Sequence, residues 1–311
     1  MIVCSSFDAL PPVGGSCLTI GNFDGVHTGH KALIQRTCAL AQSKGLVSSI
    51  ITFWPHPRVV LAGSHAPALL TTHAERQQLL SATGAHLLLE LPFTLELAAL
   101  TPEDFICRLL TSLNMKALVV GYDFSLGRGR AGNFDVLYAL GQRYGFSVER
   151  LAPVYVCTSQ GQTIVSSTKV RDAVFNGAMP DAALLLGQPY AITAPVVHGF
   201  GRGQGLGFPT ANIAKPEQLV PRRGVYATRI LCEGQQWQAV TNVGHNPTFD
   251  GGALSIESFL LNADVNLYGK TITIQFIRHL RDEQKFPSVE ALQARIAIDV
   301  AEAGKILGAT A

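Results

Sequence analysis

The hydrophobic rhythm of this chain changes once, near Pro180, and that change restricts what it can fold into. Before it, short apolar runs at 47–53, 86–89, 117–121 and 146–151 alternate with helical patterns at 31–44, 72–82, 102–113 and 131–144. This order predicts a parallel α/β sheet. After a short helix ending near Gly187, the runs 190–198, 224–231, 237–242, 254–261 and 271–276 follow one another between glycine-rich turns. That spacing predicts a small antiparallel barrel. A last helical stretch, 288–306, starts at Ser288 before periodic Val289, Leu292, Ile296 and Val300. The expected division is 1–184 and 185–311.

At 311 residues the chain exceeds the common single-domain size, and two domains fit its length. Hydrophobic residues are 47% and charged ones 15%, the balance of an ordered globular protein. A net charge of +2 gives no broad basic field, so no nucleic acid is expected as a partner. Arg128-Gly129-Arg130 and Arg222-Arg223 sit beside glycine and proline, which suits loops contacting small anions. Cys4, Cys17, Cys38, Cys107, Cys157 and Cys232 contain no C-x-x-C pair and read as free thiols in a reducing cytosol. There is no basic start followed by an apolar core and cleavage site, and no stretch approaches the roughly 18 apolar residues of a membrane span. A cytoplasmic protein, monomeric or weakly homo-oligomeric, is the expectation.

The densest chemical signal is Gly21-Asn22-Phe23-Asp24-Gly25-Val26-His27-Thr28-Gly29-His30, between the apolar run Cys17–Ile20 and a helical pattern. A glycine-rich turn from a buried strand into a helix aims backbone N–H groups and a helix N-terminus at an anion. His27 and His30, three apart, share one face. Imidazoles there can donate to phosphate oxygens and, if protonated, stabilise the charge of a leaving group. A second helix start, Ser166-Ser167-Thr168 with Arg171 one turn in, offers hydroxyl caps and a guanidinium. In the second half, Gly199 to Gly207 holds five glycines in nine residues, permitting close backbone approach to phosphate. It closes on Pro209-Thr210-Ala211-Asn212, where a hydroxyl and an amide oxygen at i and i+2 of an extended segment share one side and suit a hard cation. Glu257, between Ile256 and Phe259, is the carboxylate chosen as a base toward an alcohol; an outward-facing glutamate on an amphipathic strand is the alternative.

These strings resemble the H-x-G-H signature of nucleotidyltransferases and, in the longer form G-N-F-D-G-V-H-x-G-H, the bacterial bifunctional riboflavin kinase and FAD synthetase family. Ser166 to Arg171 is similar to that family's S-S-T-x-x-R, Thr52 to Pro57 to its T-F-x-P-H-P, and Gly207 to Asn212 to its G-F-P-T-A-N. The fold so implied is a Rossmann-like nucleotidyltransferase domain followed by a β-barrel kinase domain with a terminal helix. The resemblance implies that Gly21, Asn22, Phe23, Gly29, Ser166, Ser167, Thr168 and Arg171 hold ATP, with His27 and His30 assisting loss of pyrophosphate. In the second site it implies phosphate contacts from Gly199, Gly201, Arg202, Gly203 and Gly207, Mg²⁺ ligation by Thr210 and Asn212, and Glu257 as the catalytic base. Gly121 to Gly127 resembles G-x-D-F-x-F-G and implies a flavin phosphate pocket around Asp123, Arg128 and Arg130. Asn242 to Phe249 and Arg278 to Phe286, with Arg281, imply lid and flavin-side elements.

The implied activity is phosphorylation of riboflavin to FMN, then adenylylation of FMN by ATP to FAD with release of pyrophosphate. The chain departs from the pattern at Ser125 and Gln204, where basic residues are common, and at Ser258-Phe259, where the family reads x-H after its glutamate. A single working site, or a flavin- or nucleotide-binding regulator without chemistry, are the alternatives. For His56, between two prolines, a rigid-turn role and ligand contact both stand open.

Overall fold

The computed structural model describes residues 1–198, 208–246, 253–263 and 265–308. Contacts divide the chain into two compact units, Met1–Val156 with Thr163–Val165, and Cys157–Gln162 with Ser166–Ala311. In chain order the first carries β1 (Ile2–Cys4), β2 (Ser16–Ile20), α1 (Thr28–Lys44), β3 (Val47–Trp54), α2 (Pro57–Ala62), α3 (His73–Ser81), β4 (Leu87–Pro92), α4 (Leu95–Ala99), α5 (Pro102–Leu113), β5 (Met115–Val120), α6 (Phe134–Tyr144) and β6 (Ser147–Arg150). All six strands form one parallel sheet in the order β1-β4-β3-β2-β5-β6.

Alternation along each strand explains why this sheet is covered on both faces. Leu18, Ile20, Ile51, Leu89 and Leu118 pack with Phe105, Ile106 and Leu109 of α5 and Leu137 of α6. Their neighbours Cys17, Ile50, Leu88, Ala117 and Val119 pack the other way, on Leu33 and Ile34 of α1 and Leu80 of α3. The chain builds outward from β2 through β3 to β4, then crosses to β5 on the other side of β2. In such a sheet the ligand crevice opens where the direction of building reverses, at the carboxyl ends of β2 and β5. Thr19 lies opposite Val119, so the glycine string after Ile20 and the Gly121 loop after Val120 leave the sheet side by side.

A hairpin of β7 (Tyr155–Thr158) and β8 (Gly161–Ile164) precedes α7 (Ser167–Phe175) and α8 (Met179–Leu186). Then β9 (Tyr190–Val197), β10 (Thr210–Ile213), β11 (Gly224–Cys232), β12 (Gln235–Asn246), β13 (Ala253–Leu260) and β14 (Thr271–Arg281) close an antiparallel barrel in the order β10-β13-β12-β11-β14-β9. The last helix, α9 (Val289–Gly308), lays Ala303 and Leu307 on Val225, Ala227 and Val240 of the barrel wall. The architecture is the expected one, with the short strands β1, β7, β8 and β10 and the short helices α2 and α4 added. The short edge strand β1 and the four-residue β10 carry too little periodicity to be read as strands from sequence. Tertiary pairing creates both.

Candidate functional site

In the first unit the glycine string runs from Gly21, whose N–H donates to the Ile51 carbonyl at 3.0 Å, to the start of α1. His27 is the N-cap: its Nδ1 accepts the His30 backbone N–H at 3.1 Å. A neutral His27 ring therefore carries its proton on Nε2. The His27 and His30 rings stack at 3.5 Å and 15°. Gly29 leaves room for the His27 ring: a Cβ there would stand 3.3 Å from it, a tight contact that the ring could relieve only by shifting. Phe23 sets its edge against His30 at 5.1 Å. His30 Nδ1 is buried with no hydrogen-bond partner, and burial, reinforced by His27, holds the His30 pKa well below the usual imidazole value. Without ligand, His30 is thus a neutral imidazole rather than a standing cation.

The string is under backbone tension that the sequence did not announce. Phe23 and Val26, both fully buried, adopt left-handed backbone at φ +50° and +39°. Such conformations persist only where surroundings over-determine them. Asp24, 3% exposed, supplies part of that restraint by accepting the Leu70 N–H at 3.0 Å and the Thr71 N–H and Oγ1–H at 3.3 Å each. Asp24 was missed as a site residue; a carboxylate between glycines reads as turn chemistry.

Of the two open roles of His56, the turn role is visible: it caps α2, Nδ1 accepting the Arg58 N–H at 3.1 Å. Asp123, Arg128 and Arg130 lie exposed on the loop after β5. Ser125, which stands where a basic residue is common in the family, accepts from Arg130 Nε at 2.8 Å, while Arg130 Nη2 reaches the Asp123 carbonyl at 3.4 Å. Ser166 caps α7 by accepting the Lys169 N–H at 3.3 Å, with Ser167, Thr168 and Arg171 in its first turns. This helix groups with the second unit.

In the second unit, Thr210 and Asn212 lie on β10 with Asn212 opposite Glu257 of β13, so all three side chains share one face. Thr210 Oγ1 is 3.5 Å from Glu257 Oε2, and Ser255 Oγ donates to Glu257 Oε1 at 2.7 Å. Glu257 is half-buried and opens on a cavity of about 540 Å³ with Phe208, Phe259, Phe286 and Ile296 among its walls. A second cavity, about 270 Å³, is bounded by Val196, Leu267 and Tyr268; Thr210 lines both. Tyr268 stacks on His198 at 4.4 Å. Phe259, in place of the family's histidine, packs edge-on against Phe208 at 5.2 Å, and Ser258 is buried in a hydroxyl chain through Thr241 to Thr228. Arg281 also lines the larger cavity, with its fork held by Asp299 at 2.8–3.1 Å. Gly199, Gly201, Arg202, Gly203, Gln204 and Gly207 lie outside the described residues, as do Pro247, Thr248 and Phe249 of the N-x-G-x-x-P-T-F turn.

Two family models match the chain, FAD synthetase over residues 12–169 and riboflavin kinase over 186–307. A bifunctional riboflavin kinase/FMN adenylyltransferase of Escherichia coli (strain K12) is 38% identical over 301 residues, covering 96% of this chain and 95% of that protein. The chain belongs to this family. The namesake of Pseudomonas fluorescens is 38% identical over 295 residues, covering 94% of this chain and 93% of its own length. A crystal structure described as a macrolide-efflux protein from Streptococcus pneumoniae is 28% identical, with a TM-score of 0.85 over 96% of both chains. That likeness in fold runs over nearly the full length of both chains; no described helix here is long and apolar enough to cross a membrane.

Proposed function

We propose that the chain makes FMN from riboflavin and ATP in the barrel unit and FAD from FMN and ATP in the sheet unit. The observation that carries this reading is Thr210, shared by two cavities with Glu257 beside it. A flavin in the larger, apolar cavity and a nucleotide in the smaller would meet there. Glu257 accepts the proton of the riboflavin hydroxyl as its oxygen attacks the γ-phosphorus of ATP; the bond to the bridging oxygen breaks, and ADP leaves. Thr210 and Asn212 present a hydroxyl and an amide oxygen on one face, a donor set that fits Mg²⁺ shared with nucleotide phosphates. When bound, that ion would offset charge on the transferring phosphoryl group. Gly199, Gly201, Arg202, Gly203 and Gly207 are assigned to phosphate on their motif, and Arg281, fixed by Asp299, to the flavin wall.

In the sheet unit, an FMN phosphate oxygen attacks the α-phosphorus of ATP and pyrophosphate leaves. Gly21, Asn22, Phe23, Gly29 and the α1 N-terminus receive the phosphates, and His27 and His30 donate to the departing pyrophosphate. The neutral His30 ring can take up a proton as that charge arrives. Ser166, Ser167, Thr168 and Arg171 are assigned to nucleotide phosphate by motif, and Asp123, Arg128 and Arg130 to FMN. The step needs positioning rather than a protein nucleophile. The domain boundary near residue 185 and a monomer or weak homo-oligomer complete the reading. Six free cysteines suit a reducing cytoplasm.

Chromatography of products after incubation with riboflavin, ATP and Mg²⁺ tests both steps. Glu257→Ala or Thr210→Ala should lower FMN formation about 10²- to 10⁴-fold and leave FMN adenylylation intact. The paired change His27→Ala with His30→Ala should do the reverse. Each assignment fails if its step survives its own substitution.

A further inference from the structure

Behind the glycine string lies a charged cluster that belongs to none of the recognised motifs. Arg76 of α3, only 2% exposed, donates from Nη1 to the Asn22 carbonyl at 3.1 Å and from Nη2 to Glu90 Oε2 at 2.6 Å. Its guanidinium lies over the Trp54 ring at 5.2 Å. Glu90 of β4, 7% exposed, also accepts from Gln77 Nε2 at 2.9 Å and pairs with His73 Nε2. His73 in turn stacks on Trp54 at 4.5 Å.

A buried ion pair is weak evidence for stability, since desolvation offsets much of its attraction. What this pair does geometrically is specific. The Asn22 carbonyl is the backbone group immediately before Phe23, whose φ of +50° needs outside restraint. Phe23 in turn sets its edge on His30, and His30 stacks on His27. With Asp24 tied to Leu70 and Thr71, segment 70–76 therefore grips the string at two points, one by its backbone amides and one by Arg76.

We propose that Arg76, oriented by Glu90, is a positioning residue for adenylyl transfer: it fixes the Asn22 carbonyl and the left-handed turn at Phe23, and so sets where the His27 and His30 rings stand. The proposal rests on the reading of Gly21–His30 as the nucleotide site. Its substrate-facing consequence is alignment at the transition state rather than added charge, because Glu90 already neutralises Arg76.

The test is steady-state kinetics of both reactions with Arg76→Met, Arg76→Lys and Glu90→Gln in the full chain, alongside the His27→Ala, His30→Ala double variant. Arg76→Met should lower kcat for FAD formation about 10- to 100-fold, the scale of a misaligned reacting group. KM for ATP should stay within about threefold, as expected when an interaction used only in the transition state is lost. Riboflavin phosphorylation should not change. Arg76→Lys, which keeps one cationic donor, should regain most of the rate, and Glu90→Gln should fall between. An unchanged kcat in Arg76→Met overturns the proposal. So does joint loss of both activities with a lowered melting temperature in Arg76→Met and Glu90→Gln, which would make the pair merely structural. Tighter ATP binding in Glu90→Gln at unchanged kcat would instead assign Arg76 a charge role. If the double histidine variant still makes FAD, it is the nucleotide-site reading that fails, whatever Arg76 does.

Discussion

His30 shows how one buried ring couples chemistry to stability. The folded chain holds its pKa well below the 6.5 of a free imidazole, whereas the unfolded chain takes up that proton at the ordinary value. Below about pH 6.5 the unfolded state therefore binds more protons, and stability falls as pH falls; above it this group contributes no pH dependence. Urea midpoints for unfolding of the first unit should drop between pH 7.5 and 5.5 in the parent, and His30→Gln should remove part of that drop. An identical drop in the variant would mean that His30 is not the group responsible. Asp299 makes a different case. At 1% exposure it holds Arg281 at 2.8 Å and Arg295 at 3.0 Å. Asp299→Ala leaves the largely buried Arg281 without its carboxylate and should destabilise the second unit by about 3 kcal/mol, measured by denaturant unfolding. The effect should extend to riboflavin binding, since Arg281 and Asp299 both line the larger cavity.

At the scale of elements, α7 and α8 mark where local sequence and tertiary contact part company. Motif and composition put them with the nucleotide-binding half, and the FAD synthetase model ends at residue 169, inside α7. By contacts they group with the barrel, where α8 meets β9 and β14 and buries Met179, Leu185 and Leu186. A fragment beginning at Ser166 should accordingly be more stable than one beginning at Leu186. Burying a large apolar side chain is worth roughly 1.5–3 kcal/mol, so the difference should be about 5 kcal/mol in denaturant unfolding. Equal stabilities would show that these helices contribute nothing to the barrel's core. The string between β2 and α1 is of the opposite kind: its His27 cap on α1 is local, three residues from its donor, so its motif is legible in the sequence.

Over the whole molecule, two compact units lie on one chain, and the change of hydrophobic rhythm near Pro180 falls inside the second, which takes in Ser166–Ala311. Strand and helix types follow from period-2 and period-3.6 patterning, and the string, G-F-P-T-A-N and Glu257 follow from residue chemistry at short spacing. Those features are local, so sequence by itself determined them. Only the tertiary structure decided the strand order that sets Gly21 beside Gly121, the pairing that puts Asn212 opposite Glu257, and the apolar wall that Phe208 and Phe259 make. It also decided the Asn22–Arg76–Glu90 chain, whose members stand 54 and 14 residues apart. Such contacts depend on how distant segments meet when apolar faces are buried. Periodicity specifies that each face must be buried, but not against which partner.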